Sequence, residues 1–161
     1  MFRLIISLGI ILLAGCGRSG PNLVPVDGTV FLDEKPLAFK SLLFVPEEGT
    51  VGNGAGGFTN GDGKYVLTAV IFGATEDYEG CPPGRYRVVV SEPSIPITAD
   101  DFDPIDEQEK KDAPAVAVGP VRNPPKREIP SIYTSKQTTP LVLEVSESGG
   151  PINLKLTARS R

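Results

Sequence analysis

Val26-Asp27-Gly28-Thr29-Val30-Phe31-Leu32-Asp33-Glu34-Lys35-Pro36 decides the fold. Val26, Gly28, Val30 and Leu32 alternate with Asp27, Thr29, Phe31 and Asp33. That period of two puts one set of side chains on a buried face and the other toward solvent, the signature of a strand. Asp33 to Pro36 then reads as a turn. The same grammar recurs along the chain. A second strand is predicted over 39–46, with Leu42 and Phe44 on one face; Pro46 ends it, because proline cannot donate to a ladder. Gly49 to Gly57 is either a flexible loop or a weak edge strand. Thr59-Asn60-Gly61-Asp62-Gly63-Lys64-Tyr65 is the strongest turn, since Asn, Asp and Gly tolerate the positive φ of tight hairpins. Tyr65, Leu67 and Ala69 alternate with Val66, Thr68 and Val70. Tyr86, Val88 and Val90 follow Pro82-Pro83-Gly84 and oppose Arg85, Arg87 and Val89. Strands resume over 139–145 (Leu141, Leu143, Val145) and 151–158 (Ile152, Leu154, Leu156), joined by Ser146 to Gly150 as a terminal hairpin.

Six clear strands and one or two weaker ones, with no helix long enough for a parallel crossover, indicate an all-β antiparallel sandwich or barrel. Eighteen Gly and sixteen Pro fit short strands and many turns. Residues 26–158 form the expected domain, interrupted by an irregular loop at 93–128. That loop is rich in proline and carries an acidic run from Asp100 to Asp112, too polar to offset its own ordering entropy. Glu107 and Lys111, four apart, support one or two helical turns there.

The N-terminus has a different character. Arg3 precedes an apolar stretch from Leu4 to Leu13, and small residues lead to Leu13-Ala14-Gly15-Cys16. This has the layout of a secretory signal and is too short for a spanning helix, which needs about 20 apolar residues. The Leu-Ala-Gly-Cys ending resembles the lipobox of bacterial lipoproteins. The resemblance implies a signal peptide at 1–15, a diacylglycerol on the Cys16 thiol, and acylation, typically by palmitate, of the amine freed by cleavage. Residues 16–25, with their Gly, Ser and Pro, then read as a lipid-anchored tether. The implied location is the cell envelope, on the periplasmic or cell-surface side of a membrane. Two or more acyl chains suffice for stable anchoring.

Charge and composition exclude several classes. Sixteen Lys and Arg against twenty Asp and Glu give a net charge of −4, without the basic patch that nucleic acid requires. The membrane contact is therefore expected through the lipid, not through charge; an envelope protein is the other candidate partner. With Cys16 lipidated, Cys81 is the one remaining thiol, so the domain cannot be stapled by an internal disulfide. The chain has no His, which removes the commonest general base, the commonest zinc or copper ligand, and the Ser-His-Asp and Cys-His mechanisms.

What chemistry remains is thin. Cys81 could act as a nucleophile only beside a cation such as Arg85; the plainer readings are a buried small residue or an intermolecular disulfide. Asn60-Gly61-Asp62-Gly63 resembles the start of a calcium loop, but position 71 is Ile where the bidentate Glu would stand. The acids between Asp100 and Glu109 read as a solvated loop, or as weak ligands for a hard cation. No catalytic residue, metal or cofactor is expected, and no binding residue is assigned. Phe31, Leu43, Val45, Val89 and Val142 fall on outward faces. They call for a partner surface, cover by the 93–128 loop, or a differently closed barrel.

The order and spacing of several segments also resemble small bacterial lipoproteins with a carboxypeptidase-regulatory-like, transthyretin-like (prealbumin-like) domain. The segments are Pro25 to Val30, Lys35-Pro36-Leu37, Phe44-Val45-Pro46, Thr59 to Tyr65, Pro83 to Val88, Ile129 to Tyr133, and Leu141 to Val145. The resemblance implies a seven-stranded Greek-key β-sandwich and no established activity. A hydrolase branch of that fold relies on histidines, which this chain lacks. Glu34 stands where that family often has Gly, and Cys81 where a small residue such as Ala is usual. Together these readings predict a lipid-anchored, non-catalytic envelope protein with a structural or adhesive role. The alternative is a carbohydrate- or peptide-binding module accessory to an exported enzyme or secretion system; the absence of Trp and the inward positions of Tyr65 and Tyr86 weigh against a sugar platform.

Overall fold

Alternation does produce strands at the expected places. The computed structural model describes residues 22–95, 97, 102 and 128–158. Over these the chain is almost all β, in two mostly antiparallel sheets. The strands are β1 (Val26–Leu32), β2 (Lys35–Pro36), β3 (Ser41–Pro46), β4 (Ala55–Phe58), β5 (Lys64–Val66), β6 (Thr68–Ala69), β7 (Gly84–Ser91), β8 (Val142–Val145), β9 (Gly150–Pro151) and β10 (Leu154–Leu156). A 3-10 turn, Ser131–Tyr133, precedes β8. The expected signal stretch 1–15, Cys16, most of the expected tether and the acidic run 100–112 (apart from Phe102) lie outside the described residues.

The first sheet is built around β1. On one side β2 and β5 pair with it antiparallel. On the other side β9 and β10 pair with it in parallel, in one continuous register from Val26↔Gly150 to Leu32↔Leu156. The second sheet runs β6-β4-β3-β7-β8, antiparallel throughout. The expected terminal hairpin is therefore absent. β8 pairs with β7 in one sheet, and the turn after it carries the chain across to β1 in the other. Local hydrogen bonding gives way to two inward faces that each need a different partner.

Two other turns differ from expectation for the same reason. Asn60 to Gly63 is tight, with its side-chain Oδ1 accepting from the N–H groups of Asp62 and Lys64 at 3.0 Å each. Yet it links β4 to β5, which belong to different sheets, and is a corner, not a hairpin. The single strand expected after Tyr65 is broken at Leu67, where β5 leaves β1 and β6 joins β4. Alternation survives the break: Tyr65, Leu67 and Ala69 all stay buried. The Gly-rich stretch does yield a strand, but β4 lies between β3 and β6, not at an edge.

The core is aliphatic with an aromatic centre. Leu42, Phe44, Tyr86, Val88 and Val90 from the second sheet meet Val26, Val30, Tyr65, Leu154 and Leu156 from the first. The Phe44 ring stands 6.2 Å from Tyr65 and 6.0 Å from Tyr86, tilted to both, so one side chain joins the sheets. Ile129 and Tyr133 close the far end. Pairing begins before β1. The Val24 and Cys81 backbones exchange hydrogen bonds of 3.0 and 2.9 Å, and the Gly150 N–H donates to the Pro25 carbonyl. The last residues of the expected tether thus belong to the folded body.

Candidate functional site

The bend at Leu67 opens a groove where β5 turns away from β1. A depression of about 730 Å³ is floored by Asp27 and Thr29 of β1, Lys64 and Val66 of β5, and Asn153 between β9 and β10. Register explains the gathering. Asp27 stands opposite Val66 and Thr29 opposite Lys64, so the solvent-facing side chains of both strands share one face. Asn153 Oδ1 accepts from the Thr29 N–H at 2.9 Å, filling the ladder where β9 stops before β10 begins. Phe58 of β4 and Phe102 flank the groove, and both are substantially exposed. Gly57 lets β4 come close; a Cβ there would sit 2.5 Å from the Val66 carbonyl oxygen. The Phe102 ring lies 6.3 Å from Phe39, which holds an unusual φ of +54°.

The groove offers a carboxylate, an ammonium, an amide, a hydroxyl and apolar rims. A lining of this kind combines hydrogen-bonding groups with an apolar flank.

The residues singled out from sequence fall elsewhere. Cys81 is buried, its thiol free, and burial pushes its pKa up. Arg85, the candidate activator, is largely exposed and pairs with Glu47 at 3.7 Å. Buried in this way and with its pKa raised, Cys81 lacks the exposure and the thiolate character of a reactive thiol. Asn60 spends its side-chain oxygen on its own turn, which explains the calcium-like spacing without a cation. Among the described residues no three of His, Cys, Asp and Glu gather as metal ligands.

Of the outward apolar residues, Leu43 and Val142 are exposed, while Phe31, Val45 and Val89 are half-buried. Leu43 pairs with Val89, but Val45 is separated from Val142 by Arg87, which donates to Glu47. An ion pair therefore crosses the face and divides its apolar surface. The Arg87 hydrogen bond is the main reason the Glu47 carboxyl sits below its ordinary pKa of 4.5.

A feature with no sequence forecast is the Lys40 cluster. Its side chain, 10% exposed, puts Nζ 3.0 Å from Glu92 and 3.0 Å from Glu128. The Glu128 N–H also donates to Glu92 Oε1 at 3.2 Å. Burial opposes the ammonium charge, but the two carboxylates outweigh it together and its pKa is raised above 10.5. The cluster joins the two ends of the 93–127 stretch. Its one sequence signal was a lone Lys between Phe39 and Ser41, ahead of an apolar strand.

The chain matches no protein-family model, no curated protein and no solved structure.

Proposed function

We propose that this chain is a lipid-anchored, non-catalytic β-sandwich protein of the bacterial cell envelope, held at Cys16 and acting as a structural or adhesive scaffold. The observation that carries this reading is where the chain enters the fold. Val24, eight positions after Cys16, is buried and stapled to Cys81. At no more than about 3.5 Å per residue, the folded body would stand within roughly 30 Å of a lipid on Cys16. The seven-stranded transthyretin-like Greek key is part of the proposal. Support comes from counting β5 with β6, and β9 with β10, as single interrupted strands: with the two-residue β2 set aside, seven remain.

Metabolic labelling with a radioactive fatty acid tests the anchor. The wild-type chain is expected to take up label and Cys16→Ala to lose it; equal labelling of both removes the reading. The groove beside β5 favours a second reading, a module that binds peptide or carbohydrate. It predicts that Asp27→Ala and Lys64→Ala weaken capture of such a ligand while leaving the fold intact.

A further inference from the structure

The two ends of the sandwich are unlike. β1 and β7 start, and β3, β6 and β8 finish, at the end where Val24 pairs with Cys81. Three connections crowd there: 47–54, 70–80 and 146–149. The first two are hydrogen-bonded together, with the Val70 N–H donating to the Gly54 carbonyl and Asn53 Nδ2 to the Val70 carbonyl. Gly52 packs on Pro82, beside Cys81. These loops hold the most exposed apolar side chains described: Val51 at 82% and Phe72 at 83%. Tyr78, in the 70–80 connection, is 41% exposed. A Cβ on Gly73, next to Phe72, would meet no atom within 4 Å, so the tip stands clear of the body. At the opposite end lie the Asp33-Glu34 turn and the Lys40 cluster.

We propose that Val51 and Phe72 rest in the surface of the lipid bilayer, so that the anchored protein stands on this end with the Asp33-Glu34 turn outermost. The proposal rests on Cys16 being the anchor, because the chain reaches Cys16 from this same end. Apolar tips on a lipidated chain supply the second contact that fixes orientation, entering about 5–10 Å at the boundary of headgroups and acyl chains. The surrounding acids, Glu76, Asp77 and Glu79, repel anionic lipid, so the contact is apolar insertion into uncharged headgroups.

The chain has no Trp, which makes an introduced one a unique reporter. Phe72→Trp and Lys35→Trp, at opposite ends and both on the surface, would be prepared as the mature lipidated protein. Each would be reconstituted in phosphatidylcholine vesicles with spin-labelled acyl chains. Phe72→Trp is expected to lose at least about half its emission to the quencher at that depth, and Lys35→Trp to keep its own. Equal emission from both variants, in protein that floats with the vesicles, overturns the proposal and leaves the anchor standing. Stronger quenching of Phe72→Trp on phosphatidylglycerol than on phosphatidylcholine overturns the apolar mode of contact. Protein that carries no lipid and does not float removes the anchor itself, and the proposal with it.

Discussion

Gly28 in β1 and Glu34 in the turn that follows it show how single positions are bound by backbone geometry. A Cβ on Gly28 would lie 1.9 Å from the Ile152 carbonyl oxygen, the atom that accepts the Tyr65 hydroxyl at 2.7 Å. Glycine leaves room for both. Gly28→Ala is expected to destabilise by about 1–3 kcal/mol, at the upper end because the colliding atom is backbone, read as a lower urea midpoint. Asp33 and Glu34 have φ of +49° and +68°, the left-handed pair of a type I′ hairpin loop between β1 and β2. Glu34 takes this geometry without the glycine that would adopt it freely, and Asp33 compensates in part, its Oδ1 accepting from the Ala158 N–H at 3.1 Å. Glu34→Gly is therefore expected to stabilise by up to about 1 kcal/mol, as relief of left-handed strain outweighs the added chain entropy; thermal melting reads the sign.

At the scale of elements, the Lys40 cluster joins the entry to β3 with the residues after β7 and before the 3-10 turn. Because the folded state raises the Lys40 pKa, its stabilisation is whole below the ordinary value of 10.5 and is lost as pH climbs through the folded value. Wild type is expected to lose stability above about pH 10.5 more steeply than Lys40→Met, compared by urea titrations at neutral and alkaline pH. At neutral pH the Lys40→Met change costs about 1.5–3 kcal/mol in lost charged hydrogen bonds. The strands themselves were legible from alternation. Their partners were not: nothing in Leu67 announces that β5 and β6 part company there, because it is buried at 0% exposure as any inward residue of an unbroken strand would be. The corner at Asn60 was equally hidden, since an Asx turn has one local chemistry whichever sheet the chain enters next.

For the whole molecule, one core spans both sheets through Phe44, Tyr65 and Tyr86. Removing the shared ring in Phe44→Ala is expected to cost about 3–5 kcal/mol. In wild type, tyrosine fluorescence and far-ultraviolet circular dichroism are expected to report a single coincident transition; separate transitions would mean that the sheets unfold independently. The groove was illegible in sequence because Asp27, Lys64 and Asn153 are far apart along the chain and meet only through register. Val51 and Phe72 left a faint trace, an apolar residue next to Gly in a turn-rich stretch, without saying that they share an end with Val24. By itself the sequence determined the all-β class, the inward and outward faces of the strands with clear alternation, and a chemistry without histidine, since these depend on side-chain identity and a two-residue period. Only the tertiary structure decided which strand pairs with which, the parallel return of β9 and β10 along β1, and the polarity of the sandwich. Those depend on burying two apolar faces against each other, a long-range condition that no local window contains.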